Sequence, residues 1–340
     1  MKKHFVTIAK ISLILVYLVI VAGALVRMTG SGMGCPDWPK CFGYYIPPTE
    51  LKELLFTANK EYTKGQVIIL DETLFVAKKD FTSSTTYQAT DWEKYTKHDY
   101  AIFNPMHTWI EYINRLLGAL AGLACFITFL VSFYYWKERK LFVFFSLGIC
   151  VLMGFQAWLG KTVVDSELSP YKITTHMLVA FLIVAMQLYL IFKATTKITS
   201  SKIDNPLFKK VIVVALGLTI IQVVLGTTVR EFIDHMQEAG LEKMMWLQSP
   251  EVSFYVHRSF SIAVLLLNIY LFYSNRKLNL GFSKINWVML IIGFEILSGV
   301  IMANFYFPFG SQTIHLILAA LLFGVQFYLV LENYAKKTRN

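Results

Sequence analysis

The sequence predicts an all-α polytopic membrane protein, with eight transmembrane helices forming two duplicated four-helix bundles and a large outer first loop. Composition, span count and an internal repeat carry that prediction. Of 340 residues, 56% are hydrophobic and 16% charged, and mean hydropathy is +0.52, whereas soluble chains carry about a quarter charged residues. A water-soluble enzyme is thereby excluded. With 19 Gly, 9 Pro and 4 Cys, disordered, collagen-like and disulfide-rich secreted chains are excluded as well. The net charge of +10 sits in short segments between apolar stretches, where membrane orientation accounts for it, so no nucleic-acid partner is expected.

About 20 apolar residues cross a hydrocarbon core of about 30 Å. Stretches near that length run over 8–27, 108–134, 141–160, 172–193, 211–230, 254–274, 285–304 and 312–333. The first lacks an Ala-x-Ala exit and ends in Val26-Arg27, so it reads as a retained helix and not a cleaved signal. Basic residues cluster at Lys2, Lys3 and Lys10; at Lys137, Arg139 and Lys140; at Lys193, Lys197, Lys202, Lys209 and Lys210; at Arg276, Lys277 and Lys284; and at Lys336, Lys337 and Arg339. All fall on one side of an eight-span chain, which places both termini in the cytoplasm. The expected organisation is a first span over 1–27, an outer cap over 28–106, spans two to four over 108–193, a cytoplasmic linker over 194–210, spans five to eight over 211–333 and a tail over 334–340. The 79-residue stretch from Met28 to Met106 reads as a small ordered cap, with a strand near Gln66–Leu70.

The spans repeat in order. Val21-Ala-Gly-Ala-Leu-Val-Arg27 matches Val224-Leu-Gly-Thr-Thr-Val-Arg230, and Tyr112-Ile-Asn-Arg115 matches Tyr255-Val-His-Arg258. Gly154-Phe-Gln156 with Gly160 matches Gly293-Phe-Glu295 with Gly299, and His176-Met-Leu-Val-Ala180 matches His315-Leu-Ile-Leu-Ala319. The offsets are 203, 143, 139 and 139, so only the first interhelix loop changes much in length, as a parallel duplication requires.

Histidines 107, 176, 257 and 315 all lie near the outer ends of spans and share one depth, whereas His4, His98 and His235 lie in polar segments. His257 and His315, on the sixth and eighth spans, are suited to bis-axial ligation of a haem iron by two neutral imidazoles. Zinc would call for three or four ligands, and no carboxylate accompanies the pair in register, against a di-iron carboxylate site. The equivalent N-terminal positions hold Asn114 and His176. Asn is a poor iron ligand, and His107, Glu111 and Asn114 instead share one helix face. A carboxylate inside an apolar span marks function by default. One bundle thus reads as keeping a haem and the other as acting on something. Arg27, Arg115, Arg230 and Arg258 suit haem propionates. Gln156 and Glu295 are packing or proton-path candidates, and Trp109, Trp158 and Trp246 are expected at the membrane interface. Cys35 and Cys41 flank Pro-Asp-Trp-Pro-Lys on the oxidising side, where a loop disulfide is expected, with structural and redox roles both open.

The run Gly23-Ala-Leu-Val-Arg27-Met-Thr-Gly30-Ser-Gly32-Met-Gly-Cys35-Pro-Asp37-Trp38-Pro-Lys-Cys41 resembles the first-helix and first-loop signature of the haem A synthase family, of the bacterial type carrying a cysteine pair. Glu111-Tyr-Ile-Asn114-Arg115 resembles its second-helix motif, and His176, His257-Arg258 and His315 fall at its other histidines. The resemblance implies oxidation of the C8 methyl group of haem O to a formyl group, through hydroxylated intermediates, in the bacterial inner membrane. It implies haem O as substrate, haem O synthase as its supplier and haem b as cofactor. By it, His257 and His315 ligate haem b, the N-terminal bundle holds haem O, Glu111 is the essential carboxylate, and the cysteine pair serves haem transfer or electron flow.

One departure stands out. Where that family has His, this chain has Asn114, and His107 lies seven residues earlier, about 10.5 Å of helical rise away. The expectation is therefore His176 as main protein ligand of the substrate iron, with His107 a gate, proton relay or alternative ligand. Two rivals are a di-haem b electron carrier, which should repeat the bis-His pair in both halves, and a non-catalytic haem transporter or chaperone. Electron acceptor and oligomeric state stay open, a homo-oligomer included.

Overall fold

The structure is a computed structural model that describes residues 2–96, 102–166, 168–195 and 205–335. His98, Lys197, Lys202, Lys336, Lys337 and Arg339 lie outside the described residues, as do the side chains of Lys2 and Lys3. Eight helices are long and apolar enough to cross a membrane: α1 Lys2–Met28, α2 Pro105–Ser132, α3 Lys140–Asp165, α4 Pro170–Thr195, α5 Pro206–Glu238, α6 Val252–Lys277, α7 Ile285–Asn304 and α8 Ser311–Tyr334. Large apolar side chains such as Ile14, Leu123, Leu130, Val151, Leu266 and Trp287 lie exposed, as lipid-facing residues should when the surrounding solvent is hydrocarbon.

Local chemistry sets the boundaries. Pro105 and Pro206 open α2 and α5, and the preceding Asn104 and Asn205 side chains accept the first free backbone N–H groups, a combination that fixes a helix start. The fifth helix runs two turns past the expected limit at residue 230, to Glu238. Its polar extension, beginning with Glu231 and carrying Asp234 and His235, falls outside any hydropathy-defined span, which is why apolar length underestimates it.

Helices α1 to α4 pack as a ring in which α1 touches both α2 and α4, and α5 to α8 repeat that ring, α5 touching α6 and α8. The halves meet through α4 on α8, α1 on α8 and α4 on α5, with Phe181 and Phe323 stacked at 4.7 Å across the α4–α8 seam. The duplication reaches deeper than the four sequence matches. Eleven residues after each of Asn114, His176, His257 and His315 stands a buried polar or thiol group: Cys125, Gln187, Asn268 and Gln326. Three helical turns return to nearly the same face. Gln187 Nε2 donates to Ser12 Oγ at 2.7 Å, and Gln326 Nε2 donates to Asn268 Oδ1 at 3.1 Å, so each half carries an internal polar clasp.

The described residues between α1 and α2 fold into a cap. Strands β2 Val67–Leu70, β3 Thr73–Ala77 and β5 Trp92–Lys94 form an antiparallel sheet, and β1 Glu61–Tyr62 pairs antiparallel with β4 Phe81–Thr82. Its small cores are built on Cys35, Cys41, Phe42, Leu54, Val67 and Leu74, and on Tyr62, Ile68, Ala77 and Trp92.

Candidate functional site

All four even-numbered helices start on the cap side, so Asn114, His176, His257 and His315 fall near one depth. Each faces a glycine of the preceding helix. A Cβ would lie 4.0 Å from Asn114 Oδ1 if built on Gly23, 3.6 Å from His176 Cε1 on Gly160, 3.1 Å from His257 Cε1 on Gly226 and 3.8 Å from His315 Cε1 on Gly299. The glycines therefore form the walls against which these polar groups rest, a role that four matched backbone positions make systematic.

In the C-terminal half the His257 and His315 rings lie 6.4 Å apart between centroids, at 70° to each other. Gln222 Nε2 donates to the His257 carbonyl at 3.0 Å and lies 3.2 Å from its Nδ1. Glu295 Oε2 and Ser298 Oγ each lie 2.8 Å from His315 Nδ1. A carboxylate does accompany the pair, contrary to the sequence expectation: Glu295, on α7, is brought beside His315, on α8, by helix packing that no reading of separate spans contains. Among the described residues there is no cluster of three or more His, Cys, Asp and Glu suited to a metal ion. Two imidazoles brought together from α6 and α8 are the donor set that a bis-histidine haem site would use.

In the N-terminal half, His176 Nδ1 and Asn114 Oδ1 are buried with no hydrogen-bond partner. Gln156, the repeat equivalent of Glu295, donates to the His176 carbonyl at 2.9 Å and leaves the ring alone.

One turn toward the cap, Glu111 is 3% exposed. Its Oε2 accepts from the Cys35 backbone N–H at 2.9 Å, and its Oε1 pairs with Arg115 Nη2 at 2.5 Å. Arg115 also donates to the carbonyls of Asp37 at 2.7 Å and Lys40 at 2.9 Å. Cys35 and Cys41 are joined in a disulfide. Thr108 Oγ1 donates to the Gly34 carbonyl at 2.7 Å, and a Cβ on Gly34 would meet the His107 carbonyl at 2.5 Å. Only glycine lets the loop approach helix α2 this closely. His107 thus lies beneath the disulfide loop, and Arg115 is tied into that loop. Within it, Asp37 Oδ2 accepts from the Gly43 N–H at 2.9 Å, and burial lifts the Asp37 carboxyl above its ordinary pKa against the lowering effect of hydrogen bonds from Gly43 and Phe42.

Arg27 and Arg230 meet where the halves join. Asp234 Oδ2 receives Arg27 Nη2 at 2.8 Å, and its Oδ1 receives Arg230 Nη2 at 2.5 Å. Arg230 also bonds the Arg27 carbonyl at 3.1 Å and the Gln312 side chain. Arg258 is exposed and lies over the rings of Phe254 and Tyr255. Trp246, expected at the membrane interface, is buried with Phe232, Ile233 and Phe307, because the segment after α5 folds back over the end of that half. Sequence reasoning missed Asp234, Gln222, Ser298 and the four facing glycines; of these, only the glycines left a signal, inside the repeated motifs.

A family described as cytochrome oxidase assembly protein, COX15-CtaA, matches residues 6–83 and 82–327. The chain belongs to this family. Its membership agrees with the resemblance carried by the first-loop and histidine motifs, and with eight apolar helices it is a multi-pass membrane protein. Similar proteins include the Heme A synthase of Flavobacterium johnsoniae, 24% identical over 351 residues that span 93% of each chain. The Heme A synthase of Ehrlichia canis is 25% identical over 344 residues, 93% of this chain and 89% of its own. That of Shewanella oneidensis is 28% identical over 219 residues, 64% and 54% respectively.

Proposed function

We propose that this member of the family is a haem A synthase that binds haem O in the α1–α4 bundle and oxidises its C8 methyl group to a formyl group. Two successive hydroxylations with water as oxygen source, then loss of water, balance as R–CH3 + H2O → R–CHO + 4 H+ + 4 e−, the electrons leaving to an external acceptor. Glu111 is the observation that carries the reading. A carboxylate buried in a membrane span is costly, and here a backbone N–H and a guanidinium hold it one turn from the Asn114–His176 level. It serves as base toward the methyl group or the attacking water. His176 holds the substrate iron, Asn114 contributes an amide in place of a second ligand, and His107 stands at the entrance beneath the disulfide loop.

The C-terminal half fits a resident haem b held by His257 and His315, which supplies a one-electron iron couple when bound. The pair of adjacent imidazoles on α6 and α8 supports that assignment. Arg230 and Arg258 are assigned to the haem b propionates, Arg27 and Arg115 to those of the substrate. The protein belongs by this reading in the bacterial inner membrane with both termini cytoplasmic and receives its substrate from haem O synthase.

Co-expression with a haem O synthase, followed by pigment extraction and chromatography, tests the reading. Wild-type chain should yield haem A, and Glu111→Gln should lower the yield about 10²–10⁴-fold with haem b content unchanged. Normal haem b with no hydroxylated or formylated product from the wild type would refute catalysis, and full activity in Glu111→Gln would favour a haem carrier.

A further inference from the structure

Three repeat-related positions around the ring nitrogens differ between the halves, and they differ in a concerted way. Position 295 is Glu where the N-terminal half has Gln156, position 298 is Ser where it has Leu159, and position 257 is His where it has Asn114. The consequence is visible at Nδ1 of each eighth- and fourth-helix histidine. His176 Nδ1 is buried with no partner. His315 Nδ1 lies 2.8 Å from both Glu295 Oε2 and Ser298 Oγ.

The Ser298 hydroxyl lies 2.9 Å from the Glu295 backbone carbonyl, and when it donates there it offers the imidazole a lone pair. Glu295 offers a carboxylate oxygen. With the Glu295 carboxylate as its acceptor, Nδ1 is the nitrogen that carries the proton, which leaves the lone pair on Nε2, the nitrogen available to a metal. The described contacts of the Glu295 carboxylate lead only to His315: its second oxygen, Oε1, is buried and unpartnered. A carboxylate behind a ligating histidine orients the ring and strengthens it as a donor.

We propose that Glu295 is a positioning residue which, by accepting the His315 Nδ1 proton, makes the C-terminal half the permanent haem site, while Gln156, in withholding that bond from His176, leaves the N-terminal half able to release its porphyrin. The proposal rests on the two-haem reading above. A stronger imidazole donor favours ferric over ferrous iron, so Glu295 also holds the midpoint potential of the C-terminal haem low.

The test uses the purified full-length chain in detergent, wild type against Glu295→Gln, Glu295→Asp and Ser298→Ala. Readouts are haem b content, the low-spin absorption spectrum and a redox titration. Glu295→Gln should weaken the preference for ferric iron about tenfold, a rise of about 59 mV for a one-electron couple, with the low-spin spectrum retained. Glu295→Asp should bring the potential back toward wild type. If Glu295→Gln instead sheds its haem while Glu295→Asp keeps it near the wild-type potential, the proposal stands. An unchanged potential in Glu295→Gln, a full shift in Ser298→Ala alone, or haem loss from both carboxylate variants would overturn it. A wild-type chain with no low-spin haem would overturn the two-haem reading itself, an outcome distinct from all of these.

Discussion

At the scale of single residues, the spacing of glycine and imidazole decides what the sites tolerate. Contacts of 3.0–3.4 Å require the neighbour to yield, whereas 3.8 Å is ordinary packing. Gly226→Ala would place its methyl 3.1 Å from His257 Cε1, against a ring already bordered by Gln222; Gly299→Ala would stand 3.8 Å from His315 Cε1. Overpacking of this sort costs about 1–3 kcal/mol. Gly226→Ala is expected to lower haem b content of the purified protein severalfold in a pyridine haemochrome assay, with Gly299→Ala close to wild type. Equal loss from both would show that the glycines act through helix packing and not through the rings. The sequence motifs contain all four glycines, yet nothing in a linear pattern says which neighbour each one faces.

At the scale of elements, the disulfide loop and helix α2 behave as one unit. Cys35 and Cys41 close a loop with a sequence separation of 6, and the Cys35 N–H that bonds Glu111 belongs to it. Replacing both cysteines with serine should release about 2–3 kcal/mol of loop order, loosen Glu111 and lower haem A yield, while the haem b proposed for α6 and α8 stays at wild-type level. Loss of haem b in that variant would contradict the division of labour between the halves. Asp37 gives the loop a pH dependence. Its folded-state pKa is raised, so its contribution to stability is complete below the ordinary aspartate value and is lost as pH rises through the raised one. Hydrogen exchange of the cap amides should therefore show protection decreasing across that window. Asp37→Asn, which keeps an acceptor for the Gly43 N–H, should flatten the profile, and an equally sloped profile in the variant would rule Asp37 out as its source.

The cap was legible as a folded segment, and its strand Val67–Leu70 falls within the β-branched, apolar run Gln66–Leu70. Its attachment to α2 was not, because the bonds run from backbone groups of Gly34, Cys35, Asp37 and Lys40, whose residue types carry no information about their partners. The extra turns of α5 were missed for a related reason: hydropathy measures solubility in lipid, and a helix continues as long as its backbone bonds and packing allow.

At the scale of the whole molecule, one carboxylate holds together the matched arginines of both halves. Arg27 and Arg230 occupy equivalent repeat positions, and Asp234 accepts from both. Their side chains are 21%, 15% and 27% exposed, so solvent screens the cluster in part, and breaking it should cost about 1–3 kcal/mol, below the value for a fully buried pair. Asp234→Asn is expected to lower the thermal unfolding midpoint in detergent, and adding Arg27→Ala to it should cause little further loss, since the like-charge repulsion it relieves offsets the bond it removes. Additive losses would mean that Arg27 is not coupled to Asp234.

Length, hydropathy and the order of repeated motifs determined by themselves that this chain crosses a membrane eight times as a duplicated bundle, since a bilayer reads apolar length and a duplication preserves spacing. The repeat also set Asn114, His176, His257 and His315 near one depth, because depth follows from position along a helix, whereas His107, expected at that same depth, lies two turns nearer the cap at the start of α2. Which groups touch was decided only by the tertiary structure. Glu295 against His315, Cys35 against Glu111 and Asp234 between two arginines all depend on the rotation of each helix about its axis, and that rotation is set by packing against neighbours far away in the chain.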